Sequence, residues 1–178
     1  MFIGHLPASY MMSKVLLRHF ESAKVNPGWF LAAGLFGAMA PDTDMFYFYF
    51  VDHRQNHHHT YFTHFPLVWL VLLMVSAAWL QLGKSKAAAI LAANFSLNGL
   101  FHMVLDTVVG DIWWLAPFID QRFSFFSVPA LYQPWWLNFL FHWSFALEIC
   151  ILTAAILLWR HAWHERRKNP KANDIFCQ

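Results

Sequence analysis

Charge is what this sequence has least of. Its 178 residues carry 12 Lys plus Arg and 10 Asp plus Glu, so charged residues make up only 12%. An ordinary soluble protein carries roughly 25%. A water-facing surface needs more than that, which makes a water-soluble enzyme a poor fit. The 58% of hydrophobic residues excludes intrinsic disorder. A net charge of +2, scattered ahead of the C-terminal tail, is too small for nucleic acid to be a partner. Cysteine is also scarce. Cys150 lies in an apolar run and Cys177 near the end, a pair that makes neither a disulfide framework nor a zinc knuckle. No basic stretch precedes the first lysine, Lys14, so no cleavable signal peptide is expected. Internal repeats, low-complexity stretches and inter-domain linkers are lacking too. What is abundant is aromatic residues, at 19%, and histidine, of which there are 11. Histidine has no place on a lipid-facing surface, so an oily, histidine-rich chain reads as a membrane protein with buried polar work to do.

The hydrophobic pattern predicts an all-α, polytopic membrane bundle of three to four membrane segments, one of them broken or re-entrant, plus an N-terminal amphipathic helix. The amphipathic helix is expected over Pro7 to Lys24, with Met11, Val15, Leu16 and Phe20 on one side and Lys14, Arg18 and Glu21 on the other. Trp29 to Ala40 is too short to cross a bilayer, and Pro41-Asp42-Thr43-Asp44 interrupts it before the aromatic run Met45 to Val51. This stretch either crosses as one broken span or re-enters. Phe65 to Leu82 and Ala87 to Val109 read as spans separated by a short loop, and Trp135 to Trp159 as the last span, bounded by interfacial tryptophans. The basic residues Lys84 and Lys86, and the tail from Arg160 onward with Arg166, Arg167, Lys168 and Lys171, are expected on the cytoplasmic side. Asp52 to His64 and Gly110 to Pro134 then face outward. Lys14, Arg18 and Lys24 put the N-terminus inside if Trp29 to Val51 crosses, and outside if it re-enters. The whole chain, 1–178, reads as one membrane-embedded domain with a short basic tail over 160–178.

Polar residues inside such segments are expensive, about 2.5–3.5 kcal/mol for a central carboxylate, and so point to function. In Ala87 to Val109, Asn94, Asn98, His102 and Asp106 recur every four positions. Each step drifts only about 40° around a helix, so the last three share a face. His102 and Asp106, one turn apart, suit two ligands of one divalent cation, or a histidine oriented by a carboxylate. The asparagines suit interhelical hydrogen bonding equally well. Asp42 and Asp44 mark the helix break, where non-helical backbone must line a cavity or lie buried in protein. A third cluster, His53 to His64, holds His57, His58, His59 and His64 directly before a span. His59 and His64 could converge on one site, whereas His57 and His58 read as adventitious loop histidines. Glu148 lies mid-span in the last segment and needs a partner; it and His142 are about 120° apart around the helix.

In order along the chain the pieces are His5; Gly34-x-x-Gly37-x-x-x-Pro41-Asp42-x-Asp44; His59-x-x-x-Thr63-His64; and His102-x-x-Leu105-Asp106-x-x-x-Gly110, followed by Pro117-Phe118. This ordered set resembles the integral inner-membrane metal-dependent hydrolases of the LexA-regulated type, over roughly the first 120 residues. That family usually has Arg-Gly after the first histidine of the loop motif and Ser after the second, where this chain has Thr60-Tyr61 and Phe65. A more distant similarity is to the zinc phospholipase C superfamily, which also combines an N-terminal ligand, an isolated Asp, a His and a His-x-x-x-Asp pair. The resemblance implies a multi-pass protein of the bacterial inner membrane and chemistry on a phosphate ester.

Together these readings give a membrane-integral metal-dependent hydrolase acting through a metal-activated water. His64, His102, Asp106 and Asp44 are the expected metal ligands, joined by His5 and His59 if the N-terminus folds over the site. Asp42 and Glu148 are the candidate catalytic groups, as general base or as orienters of a ligand. A mixed histidine and carboxylate set favours Zn2+, with Mn2+ next. The expected partners are membrane lipids and an amphiphilic, phosphate-containing substrate; the oligomeric state is left open. No His-Glu-x-x-His motif is present, which argues against a membrane protease. The competing reading is a non-enzymatic metal-binding regulator or ion carrier built on the same ligands.

Overall fold

A computed structural model describes residues 3–23, 25–83 and 85–168. Lys24, Lys84, Lys171 and Cys177, all used in the sequence reading, lie outside the described residues, as does the tail beyond Lys168. Among the described residues the fold is all-helical, with seven α-helices and no strand. These are α1 (His5–Leu17), α2 (Pro27–Met39), α3 (Asp44–Phe50), α4 (Pro66–Leu82), α5 (Lys86–Asp106), α6 (Trp136–Leu140) and α7 (Trp143–Lys168), with short 3-10 turns between them.

Helix boundaries follow local chemistry. Asn26 caps α2, its side-chain oxygen accepting from the N–H groups of Gly28 and Trp29, and Pro27 takes the first helical position, where its missing N–H costs nothing. Pro41 lacks the N–H that would continue α2, so the chain tightens into the 3-10 turn Pro41–Thr43 and restarts as α3 at Asp44. Pro66 opens α4 in the same way that Pro27 opens α2.

At the centre is α5. It packs against α2 on one side and α4 on the other, while α1 lies on α2 and reaches both α5 and α7. Glycines permit the close approaches. A Cβ on Gly37 would strike the backbone of Phe95 in α5, and one on Gly99 would strike the ring of Trp69 in α4. Small apolar clusters fill in around these crossings: Val25, Phe30 and Ile90 near one end, and Trp69, Met103 and Ile112 near the other.

Two helices are long and apolar enough to cross a membrane, Lys86–Asp106 and Trp143–Glu165. They do so differently. The first is the buried axis of the bundle, whereas the second leaves most of its apolar surface exposed, as a lipid-facing helix would. α2 and α4 are shorter apolar helices; the 17 residues of α4 extend about 26 Å at 1.5 Å per residue. By length and composition, two of the expected three to four spans are thus supported.

α1 departs from the expected surface helix. Its buried stripe is His5, Ala8, Ser9 and Ser13; of the expected apolar side Val15 is exposed, whereas Leu16 and Phe20 pack against the Val25, Phe30 and Ile90 cluster. Small side chains on this stripe let α1 approach the asparagines of α5. Ser9 Oγ donates to the Gly34 carbonyl (2.9 Å), and Ser13 Oγ accepts from Asn94 Nδ2 and Asn98 Nδ2 (3.3 Å each). Asn94 also donates to the Phe30 carbonyl at 2.8 Å. The asparagines are thus interhelical hydrogen-bonding groups, as one of their two readings held.

Candidate metal centre

The polar stripe of α5 is buried along its length: Asn94, Asn98, His102 and Asp106 are each 3% exposed or less. Its last two members lie against the break between α2 and α3, the loop before α4, and the N-terminus of α1. His102 Nε2 stands 2.9 Å from Asp106 Oδ2, and His5 Nε2 stands 3.1 Å from Asp106 Oδ1. The His5 and His102 rings stack with centroids 3.8 Å apart. His59 Nε2 and His64 Nε2 lie 3.6 and 4.0 Å from Asp106 Oδ2. Asp42 Oδ1 approaches His102 Nε2 at 3.5 Å and His64 Nε2 at 3.6 Å.

Three of these imidazoles are held from behind. His102 Nδ1 bonds the carbonyl of Ala38 (2.7 Å), in the last turn of α2 where helix carbonyls lack intrahelical partners. His59 Nδ1 bonds the carbonyl of Asp111 (2.8 Å). His64 Nδ1 bonds Asp44 Oδ2, which also accepts from Thr63 Oγ1 at 2.7 Å. An acceptor at Nδ1 fixes the proton there and leaves the Nε2 lone pair facing forward. All three Nε2 atoms face the Asp106 carboxylate, and those of His64 and His102 face Asp42 as well. Those of His64 and His102, with His5 Nε2, are buried and make no hydrogen bond of acceptable geometry, despite their closeness to carboxylate oxygens.

Such spacing fits a cation. Two ligand atoms about 2.1 Å from a tetrahedral zinc ion lie about 3.4 Å apart, inside the range of separations seen here. Three groups of ligand atoms lie mutually within 4.8 Å: His64, His102 and Asp106; His5, Asp42 and His102; and His58, His59 and His64. The chemistry of the donors agrees, since imidazole and carboxylate together suit zinc or manganese. Charge balance does too. Among the described residues no lysine or arginine pairs with Asp42 or Asp44; their charged neighbours are imidazoles. Acids held away from water need positive charge beside them.

The loop groups carry that tension in their proton affinities. Burial opposes charge on His64, but the Asp42 and Asp44 carboxylates outweigh it and hold the imidazole up at about 9. At His58 burial, with His64 and His57 nearby, outweighs the pull of Asp44 and Asp106 and pushes the imidazole down to about 4.

Of the expected ligands, His5, His59, His64, His102 and Asp106 all come together. Asp44 stands one step back, behind His64, with its Oδ1 buried and unbonded. Asp42 stands forward, half-exposed and lining the adjoining cavity. Glu148 is elsewhere. Buried in α7, it accepts from the backbone N–H groups of Ile3 (2.5 Å) and Gly4 (2.9 Å), directly ahead of His5. His58, set aside as a loop histidine, lies among the ligand groups; its place next to His59 was the available signal. The backbone carbonyls of Ala38 and Asp111 had no sequence signal at all.

A family model for the YdjM inner membrane protein matches residues 1–167. The chain belongs to that family. The match spans every residue of the cluster, from His5 through Asp106, and places the chain with an inner-membrane family whose description names no activity. No curated protein and no solved structure matches the chain. Within this YdjM-family chain the histidine and carboxylate cluster is therefore read from its own geometry.

Proposed function

We propose that the chain is a membrane-integral, metal-dependent hydrolase that cleaves a phosphate ester of a lipid or other amphiphile. One observation carries the reading: three imidazoles with Nδ1 anchored behind and Nε2 within 4.0 Å of Asp106, two of them, His64 and His102, also beside Asp42. His59, His64, His102 and Asp106 would hold Zn2+, or Mn2+, with His5 and Asp42 completing the set. Asp44 and Thr63 would orient His64 rather than bind the ion. A bound divalent cation supplies water acidified to a pKa near 7 and positive charge against a developing oxyanion. Asp42 reaches both the histidines and the cavity, so its carboxylate is the group within range to take the water's proton. The lipid partners follow from the apolar exterior, with α5 and α7 crossing the membrane, α4 as a third span and α2 as the broken segment.

Elemental analysis of purified protein tests the ligand set. His102→Ala and Asp106→Ala should each lose most of the bound metal while the protein remains inserted; full occupancy in both would overturn it. Metal present with no hydrolysis of phospholipids or generic phosphodiesters would leave the non-enzymatic regulator or ion carrier.

A further inference from the structure

Beside the cluster lies a cavity of about 720 Å³, within the roughly 300–1,000 Å³ typical of small-molecule sites. Asp42, His59 and Asp106 form part of its lining, which is continuous with an apolar wall of Val109, Val128, Trp135, Trp136 and Phe139. The wall has no use in hydrolysis and would be left bare by a small, water-soluble ester. We infer that it is the seat of an alkyl or acyl chain, so that the substrate is an amphiphile whose phosphate head meets the histidines and whose first methylenes lie against the tryptophans. The inference rests on the hydrolase reading for the head and on the cavity alone for the chain.

Two features of the wall support a built site rather than a chance gap. The segment carrying it is tied to the C-terminal end of α5, where His102 and Asp106 reside. Phe125 N–H donates to the Thr107 carbonyl (2.8 Å), Phe126 N–H to the Val108 carbonyl (3.1 Å), and Ser124 Oγ to Asp111 Oδ1 (2.9 Å). The backbone leading into the tryptophans is pinned by Asn138. Its Oδ1 accepts from the N–H groups of Leu131 and Tyr132 (2.8 and 2.7 Å), and its Nδ2 donates to the Tyr132 and Trp135 carbonyls (3.0 and 2.9 Å). Chain seat and cluster are thus held in one frame, and a preorganised seat loses little entropy on filling.

Charge narrows the ligand further. Among the described residues the lining includes Asp42, Asp106 and Asp111 but no lysine or arginine. An anionic head therefore gains nothing from fixed cations there. Affinity for an alkyl phosphate must come from the cation held by the histidines and from burial of the chain. Each methylene buried strengthens binding about fourfold, the ratio equivalent to about 0.8 kcal/mol.

Cysteine protection tests this directly. The full chain carrying Cys150→Ser and Cys177→Ser, with Val128→Cys as reporter, is alkylated by N-ethylmaleimide in maltoside micelles with methyl, butyl, octyl or dodecyl phosphate added. Dodecyl phosphate should slow alkylation tenfold or more and methyl phosphate should leave it unchanged, with affinity climbing about fourfold per methylene between butyl and octyl. Leu115→Cys, in a separate apolar pocket, is the control and should not be protected. Phe139→Cys replaces the reporter if the Val128→Cys protein does not fold. Equal protection by methyl and dodecyl phosphate, equal protection of both cysteines, or no protection overturns the chain seat. A chelator arm separates the two readings. Chain-length dependence that persists in metal-free protein keeps the seat and removes support for the hydrolase. Metal-loaded protein without chain-length dependence does the reverse.

Discussion

Glu148 offers the sharpest separation between a catalytic and a positioning carboxylate. Its Oε2 accepts from the N–H groups of both Ile3 and Gly4. Gly4 is the N-cap of α1 and has no side-chain cap of its own, so α7 supplies the acceptor that the local sequence does not. One residue later is His5, stacked on His102 and 3.1 Å from Asp106. Replacing Glu148 by Ala strands two donors, the buried Gly4 N–H and the partly buried Ile3 N–H. Hydrogen bonds to a charged acceptor contribute about 1.5–3 kcal/mol each, so the docked N-terminus should lose about 3–5 kcal/mol. That is enough to release it and take His5 from the centre. Glu148→Gln keeps an oxygen acceptor and should cost only about 1 kcal/mol. The assay pairs metal affinity with the reactivity of His5 toward diethyl pyrocarbonate. In the Ala variant affinity should fall at least tenfold and His5 should become reactive. In the Gln variant both should stay near wild type, with hydrolysis retained. If the Gln variant keeps its metal and a protected His5 yet loses hydrolysis as fully as the Ala variant, the positioning argument is refuted. Glu148 is then the general base the sequence allowed.

Proton competition gives a second prediction. The His64 pKa stands at about 9, raised above its ordinary value of about 6.5, so at pH 7 the metal-free imidazole carries a proton that a cation must displace. Metal affinity should therefore rise about tenfold per pH unit between pH 7 and 8.5 and level off above about 9, and calorimetry in buffers of different ionisation enthalpy should find about one proton released; no proton release at pH 7 would contradict it. By the same sign, the protonated His64 stabilises the metal-free fold fully below about pH 6.5, and this stabilisation fades as pH rises through 9. A third prediction concerns packing: Gly37→Ala drives a Cβ into the Phe95 backbone, which cannot yield without moving α5, so the melting temperature in detergent should fall by several degrees. An unchanged melt would mean that α2 and α5 are less tightly apposed.

Legibility in the sequence tracked how local each constraint was. The helix break at Pro41, the buried stripe on α5 and the pairing of His102 with Asp106 were readable because periodicity and proline chemistry act within one element. The face that α1 buries was read only in part: Leu16 and Phe20 do pack inward, but serine looks like a surface residue until asparagines on a distant helix provide its partners. Span count was legible only in part, for a related reason. Apolar composition alone does not distinguish a helix that crosses a bilayer from one that packs against α5. The roles of the acids were the least readable, because a carboxylate's role depends on what lies beside it. Asp42 and Asp44 are two residues apart, yet the 3-10 turn at Pro41 sends one forward to the cavity and the other back behind His64. Glu148 is further removed still, touching the centre only through the backbone ahead of His5. Five imidazoles and three carboxylates from α1, α5 and the loops around α3 are thus gathered where few other charges are available. Charge gathered in one buried place needs a balancing partner, and the proposed cation is one that imidazoles and carboxylates together suit.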